Sequence, residues 1–116
     1  SHELNLPAIL SALGVDHVQT VDPFDMNAVR TVLKEATMRE ELDVIIFQGP
    51  CVLLDKSPKP TCFVNETCTA CGVCKTLGCP AISSDSESGT CSIDQDLCIG
   101  CNQCVQYCRY GAIELK

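Results

Sequence analysis

Two cysteine-rich runs of nearly identical spacing constrain this chain more than any other feature of its sequence. The first run is Cys68-x2-Cys71-x2-Cys74-x4-Cys79, and the second is Cys98-x2-Cys101-x2-Cys104-x3-Cys108. These eight residues belong to a total of eleven cysteines among 116 residues. Because the two runs match each other in spacing, they predict two copies of one metal-binding loop.

Gaps of two residues let a short loop curl so that three thiolates point toward the same centre. The backbone amides of such a loop face the same way and stabilise an anionic group. Gly72 and Gly100, each beside the second cysteine of a run, let the backbone approach that group without a Cβ in the way. This pattern is the one that holds iron–sulfur cubanes.

The spacing therefore predicts two [4Fe-4S] clusters that exchange their fourth ligands. The ligands expected for cluster one are Cys68, Cys71, Cys74 and Cys108. The ligands expected for cluster two are Cys98, Cys101, Cys104 and Cys79. The fourth cysteine lies too far along the chain to close its own loop easily, so it is assigned to the other cluster. No residue is assigned a catalytic role.

Disulfide bonding and zinc binding are the two other uses of cysteine to weigh. A secreted disulfide scaffold is disfavoured, because the cysteine total is odd and no signal peptide is visible. Zinc is the stronger alternative, since C-x2-C pairs bind it well. A structural zinc site, however, usually draws two pairs separated by a longer loop, without a third cysteine two residues on.

Three cysteines lie outside the two runs, namely Cys51, Cys62 and Cys91. We predict that they are buried small hydrophobic residues with weak thiol donors. A redox role or a further metal site is the alternative for each of them.

Charge and hydropathy exclude several classes of partner. The net charge is −7, and no apolar run approaches the length of a membrane span. Two clusters held by thiolates make the protein more acidic still, so we expect neither nucleic acid nor a membrane as a partner. Free thiolates without a visible targeting signal predict a reducing cytoplasm.

The first half of the chain predicts a βαβ unit. A short apolar helix is expected from Pro7 to Leu13, and the alternating stretch His17–Val21 predicts a strand. Asp22-Pro23 is predicted to begin a helix that runs to about Arg39, with Asp22 as the N-cap. The continuous apolar stretch Asp43–Phe47 predicts a second, parallel strand that is buried on both faces of a sheet.

A segment this short cannot cover both faces of such a strand by itself. We therefore expect residues 1–54 to be the C-terminal portion of a larger α/β domain, with a small free-standing βαβ pack as the alternative. Two prolines and two lysines in residues 55–61 predict a linker.

Residues 62–116 predict two half-repeats, each with a strand, a cysteine loop, a short helix and a second strand. The predicted strands are Cys62–Asn65, Ala81-Ile82, Thr90–Ile93 and Ala112–Leu115. Apolar padding around the clusters is expected from Ile82, Ile93, Ile99, Val73, Val105 and Ile113.

From Cys62 to Lys116 the chain resembles the two-cluster bacterial ferredoxin module. GVDHVQTVDPFD, the following helix and DVIIFQGPCVLL together resemble the end of a thiamine-diphosphate-binding domain. CTACGVCKTLGCPAI, with its x4 gap, resembles the first cluster loop of the indolepyruvate:ferredoxin oxidoreductase alpha subunit. The resemblance implies an α+β fold, in which a partial α/β segment precedes a ferredoxin-like domain with short antiparallel hairpins.

In that family the complex decarboxylates aryl 2-oxoacids such as indolepyruvate on thiamine diphosphate with Mg, forms acyl-coenzyme A and reduces ferredoxin. The resemblance thus implies an electron-transfer segment whose partners are the rest of the alpha subunit, the beta subunit and ferredoxin. The Gly-Asp-Gly motif that binds thiamine diphosphate is absent, so no residue here is expected to bind that cofactor. Arg109 is a departure, because Pro normally follows the fourth cysteine of such a run.

Two other functional classes stay open at this point. One is a free-standing ferredoxin-like electron carrier with an α/β appendage. The other is a zinc-stabilised interaction module.

Overall fold

The structure is a computed structural model that describes residues 3–116. It divides the chain into two compact units, Ser1–Pro50 and Cys51–Lys116. The first unit contains α1 (Leu6–Ala12), β1 (His17–Val21), α2 (Met26–Met38) and β2 (Asp43–Phe47). The second unit contains β3 (Cys62–Val64), a 3-10 helix (Val73–Leu77), β4 (Ile82–Ser84), β5 (Cys91–Ile93), α3 (Gln103–Tyr107) and β6 (Ile113–Leu115).

The first unit contains the predicted βαβ arrangement. Strands β1 and β2 pair in parallel, with His17 opposite Asp43 at one end and Val21 opposite Phe47 at the other. Helix α2 connects the two strands. Both strands have the bounds that the apolar pattern predicts, because their β-branched and aliphatic residues favour extended backbone.

Helix α1 begins one residue before the predicted start. The Asn5 side chain caps it and accepts a hydrogen bond from the Ala8 N–H at 3.0 Å. Gly14 follows the helix with a φ of +85°, which a residue with a side chain rarely adopts. Gly14 therefore ends the helix as its C′ residue.

The prediction that Asp22 caps α2 is wrong. The helix begins at Met26, and the Asp25 side chain is its N-cap, accepting hydrogen bonds from the Asn27 and Ala28 N–H groups at 3.1 and 3.0 Å. Asp22 instead accepts a hydrogen bond from the Phe24 N–H at 2.8 Å, which closes a turn before the helix. Asp22 and Asp25 can both cap a helix through a side-chain oxygen. Because Asp22 closes a turn instead, the helix begins after Asp25.

The first unit has a sparse core. Its buried apolar side chains among the described residues are Val15 and Val21, and neither α1 nor α2 contains a buried residue. Strand β2 is half-buried and its last residue, Phe47, is 50% exposed, so the described residues alone do not cover both faces of the strand. Large apolar side chains that are exposed include Leu13, Met38 and Leu42.

The second unit contains two antiparallel sheets of two strands each. Strands β4 and β5 form the predicted hairpin, with Ile82 opposite Ile93. Strands β3 and β6 also pair antiparallel, with Cys62 opposite Leu115. They come from the beginning and the end of the unit, so they are not consecutive strands of a hairpin. Each sheet thus takes one strand from each half-repeat, which brings the two cysteine loops into one small domain.

Cysteine side chains make up most of the core of the second unit. Its buried cluster comprises Cys62, Cys74, Cys91, Cys104 and Ile113. The predicted apolar residues Ile82, Ile93 and Val105 pack against these buried side chains. Ile99 is 49% exposed, and its predicted packing around a cluster stays a prediction.

Candidate metal centres

Four of the predicted ligands line one pocket of the second unit. They are Cys68, Cys71, Cys74 and Cys108, the set expected for cluster one. The first three come from one loop, whereas Cys108 follows the end of α3 and reaches the pocket from the other half-repeat. Apolar side chains such as Val64, Val73 and Ile113 complete the wall. The pocket therefore brings four thiols together beside apolar side chains, and Cys108 comes from the other half-repeat, as the predicted exchange requires.

Left-handed backbone shapes the cysteine loop of this pocket. Ala70 and Gly72, on either side of Cys71, have φ values of +55° and +69°. The 3-10 helix begins directly after Gly72, which places Cys74 in its first turn. No atom lies within 4 Å of where a Cβ on Gly72 would be, so only its backbone angle favours glycine at this position.

The second loop uses the same backbone angles with different residues. Gly100 and Asn102, on either side of Cys101, have φ values of +67° and +62°. Gly100 therefore corresponds to Ala70, and Asn102 corresponds to Gly72. The two glycines that stand beside the second cysteines are not equivalent, and sequence alignment on the cysteines would have shown this.

Three of the four ligands predicted for cluster two lie close together, namely Cys98, Cys101 and Cys104. Cys98 and Cys101 both act electrostatically on Cys104, so these three thiols are near one another. Cys79 is half-buried and follows Gly78, which has a left-handed backbone with a φ of +66°. No described contact links Cys79 to the other three thiols, and its assignment to cluster two stays a prediction from spacing.

Backbone N–H groups point at several of the predicted ligand sulfurs. The Cys68 Sγ accepts hydrogen bonds from the N–H groups of Cys91 and Ala70, which lower the pKa of this thiol. The Ala112 N–H donates to the Cys108 Sγ at 3.4 Å. The Cys62 N–H donates to the Cys98 Sγ at 3.3 Å. Such donors stabilise thiolate sulfur and are suited to an anionic cluster.

Burial acts on the inner thiols in the opposite direction. Desolvation, together with a hydrogen bond to Cys91, raises the pKa of Cys74 to about 12. Desolvation also raises the pKa of Cys104. A positive metal centre is therefore needed to hold these residues as thiolates, because burial alone favours the neutral thiol.

The three cysteines outside the runs have two different environments. Cys62 and Cys91 are buried, as predicted, whereas Cys51 is exposed and its predicted burial is wrong. The Cys91 Sγ lies 3.3 Å from the Cys74 Sγ. Cysteine spacing did not predict that Cys91 contacts a predicted ligand. Cys62 and Cys91 are, however, equivalent positions, because each is the first residue of the strand that begins a half-repeat.

Within residues 3–116, no three Cys, His, Asp or Glu side chains form a group that could hold one metal ion. Four thiolates around a zinc ion must all lie about 2.3 Å from a single point.

Arg109 and Tyr110 also line the pocket that is predicted to hold cluster one. Both side chains are exposed to solvent. The arginine that departs from the ferredoxin pattern therefore stands at the rim of the pocket rather than inside its wall.

Comparison with known proteins agrees with this geometry. A family model described as a 4Fe-4S binding domain matches residues 92–114. The indolepyruvate oxidoreductase subunit IorA is 36% identical to this chain in Pyrococcus horikoshii, 34% in Archaeoglobus fulgidus and 32% in Thermococcus kodakarensis. Each alignment covers 91% of this chain. Over most of its length this chain is similar to part of IorA. The resemblance predicted from the cysteine loops and the βαβ segment is thereby confirmed.

The chain spans 18% of the length of these IorA relatives. No solved structure matches it. Within the described residues, every helix is too short or too polar to cross a membrane.

Proposed function

We propose that this chain transfers electrons through two [4Fe-4S] clusters within a cytoplasmic indolepyruvate:ferredoxin oxidoreductase. The observation that carries the proposal is the pocket in which Cys68, Cys71 and Cys74 meet Cys108 from the other half-repeat. An exchange of the fourth cysteine between two runs is typical of the two-cluster ligand pattern, and this pocket supports it. Homology to IorA over 91% of the chain supports the same conclusion.

The residues of the second unit have three tasks in this function. Eight cysteines hold the clusters, with Cys79 completing the set of Cys98, Cys101 and Cys104. Backbone N–H groups, such as that of Cys91 on the Cys68 Sγ, stabilise the negative charge of the sulfurs. Apolar side chains around the cysteines limit the access of water and so help to set the reduction potential. When bound, each cluster supplies a carrier for one electron at a time.

The reaction of the parent complex needs such carriers. Oxidative decarboxylation of a 2-oxoacid with coenzyme A gives acyl-coenzyme A, carbon dioxide, two protons and two electrons. Thiamine diphosphate and Mg would bind elsewhere in that complex, since this chain lacks the binding motif. We propose that the two electrons pass through the clusters of this chain to ferredoxin.

The first unit fits a place inside a larger assembly. Its two-stranded parallel sheet and two helices bury few side chains, and Leu13, Met38 and Phe47 are exposed. We propose that residues 1–54 are the C-terminal portion of a thiamine-diphosphate-type α/β domain, joined by residues 55–61 to the cluster domain at 62–116. The rest of the alpha subunit and the beta subunit would cover this apolar surface. A free-standing carrier would leave it in contact with water.

The experiment that tests this function separates electron transfer from decarboxylation. The chain with its clusters assembled should be reduced anaerobically by dithionite and reoxidised by ferredoxin, as seen in its visible absorbance. The same protein given indolepyruvate, thiamine diphosphate, Mg and coenzyme A should release no carbon dioxide. Turnover by this chain alone, or a colourless zinc protein that no reductant changes, would contradict the proposal.

A further inference from the structure

Cys91 contacts two predicted ligands of cluster one, although it lies in the other half-repeat. Its backbone N–H donates a hydrogen bond to the Cys68 Sγ. Its own Sγ lies 3.3 Å from the Cys74 Sγ, within hydrogen-bond distance for sulfur. Both residues of the thiol pair are buried, with 7% of Cys91 and 8% of Cys74 exposed. Cys91 therefore contacts both the first and the third cysteine of the first run, Cys68 and Cys74.

Cys62 has the matching position at the second run. Its N–H donates to the Cys98 Sγ at 3.3 Å, and its thiol hydrogen-bonds to Cys104. Cys98 and Cys104 are again the first and the third cysteine of a run. Cys62 is fully buried. The two half-repeats therefore exchange these contacts in the same way as they exchange the fourth cysteines.

Iron binding by Cys74 and Cys104 would determine which thiol of each pair donates the hydrogen bond. Cys74 and Cys104 lose their protons when they bind iron, because the thiolate is the ligand. A thiolate accepts hydrogen bonds and donates none, so the remaining proton of each pair belongs to Cys91 or Cys62. The S–H group of each buried, non-ligating cysteine then donates to the Sγ of a cysteine ligand, Cys91 to Cys74 and Cys62 to Cys104.

We propose that Cys91 and Cys62 are positioning residues that raise the reduction potentials of cluster one and cluster two by hydrogen bonding to ligand sulfur. This inference rests on the proposed function, since it requires both clusters. Reduction adds negative charge to a cluster and its sulfurs, so a hydrogen bond to sulfur stabilises the reduced form more than the oxidised form. Removing the S–H donor should therefore lower the potential of the cluster that it contacts.

A pair of substitutions separates the hydrogen bond from simple packing. Cys91→Ala removes the donor and most of the side-chain volume. Cys91→Ser keeps a hydroxyl donor in nearly the same volume. If the residue only fills space, the potential should not depend on whether the replacement can donate. Cys62→Ala and Cys62→Ser repeat the comparison at the other cluster, and Cys51→Ala is the control because Cys51 is exposed.

The measurement is an anaerobic redox titration of the full chain with its clusters assembled, followed by electron paramagnetic resonance, with iron content determined in parallel. Cys91→Ala should lower one midpoint potential and Cys62→Ala the other, while both Ser variants and Cys51→Ala stay closer to wild type. Unchanged potentials, or equal shifts in the Ala and Ser variants, would overturn the inference.

Iron analysis distinguishes the two levels of the proposal. Loss of iron from both Cys91→Ala and Cys91→Ser would also overturn the inference, because it would make Cys91 a ligand or a requirement for folding. A wild-type chain that assembles no cluster would instead contradict the proposed function itself.

Discussion

Gly100 lies directly against the carbonyl oxygen of Pro60, so closely that a Cβ at position 100 would overlap that oxygen. The Lys59 Cβ stands 3.1 Å from the same position. The segment that contains Lys59 and Pro60 therefore packs against the second cysteine loop so closely that position 100 has no room for a side chain. At the corresponding place in the first loop, the Ala70 Cβ lies 3.4 Å from where a Cβ on Gly89 would be, so a methyl group is accommodated there.

Gly100→Ala should be more damaging than Gly72→Ala. Both glycines have nearly equal φ values, +67° and +69°, so an alanine at either position costs about 1–2 kcal/mol of backbone strain. Only position 100 adds a collision with backbone. We expect Gly100→Ala to lower the thermal midpoint and the retention of cluster absorbance well beyond the matched Gly72→Ala. Equal effects of the two substitutions would show that the crossing segment is not held in place.

Fourth-ligand exchange predicts a pattern of iron loss in double variants. Cys108→Ala and Cys71→Ala should damage the same cluster, because both residues line the pocket of cluster one. The double variant Cys71→Ala with Cys108→Ala should therefore keep about as much iron as either single variant. Cys101→Ala combined with Cys108→Ala should lose nearly all iron, since each substitution strikes a different cluster.

Iron and sulfide analysis of the purified double variants measures this directly. Cys79→Ala is the matched single control, and it should behave as Cys108→Ala does but at the other cluster. If Cys71→Ala with Cys108→Ala loses all iron while Cys101→Ala with Cys108→Ala keeps half, the fourth cysteines are not exchanged.

Sequence patterns predicted the strands of this chain better than its helix ends and its inner contacts. Strands β1 and β2 follow apolar runs that have few other solutions, and their bounds are as predicted. The start of α2 was mispredicted because Asp22 and Asp25 can both cap a helix, and only the turn between them decides. The contact between Cys91 and Cys74 depends on the pairing of strands from both half-repeats, which cysteine spacing does not reveal.

Arg109 should raise the potential of cluster one. Its side chain stands at the rim of that pocket, and a cation there stabilises the reduced cluster more than the oxidised one. Arg109→Pro should lower the potential, and Arg109→Gln isolates the contribution of the charge. Because the side chain is exposed, the shift should shrink as ionic strength rises. A redox titration in low and high salt tests this; an unchanged potential, or a shift confined to the cluster of Cys98, would discard the idea.

The first unit should be far less protected than the second. It buries only Val15 and Val21 among its described apolar residues, while the second unit buries a continuous cluster around Cys62 and Ile113. Hydrogen exchange of the full chain with its clusters assembled should show fast exchange in β1 and β2 and slow exchange in β3 and β6. An apolar dye should bind the same protein. Equal protection of both units, without dye binding, would contradict the view that other parts of an oxidoreductase cover the first unit.

The most direct test of the two-cluster account is the metal and sulfide content of the chain after anaerobic purification. Two [4Fe-4S] clusters predict about eight iron atoms and about eight acid-labile sulfides per chain, without zinc. Substituting the exposed Cys51 with alanine should leave this content unchanged. A protein with about two zinc ions per chain and no sulfide, or with the iron of a single cluster, would contradict the account.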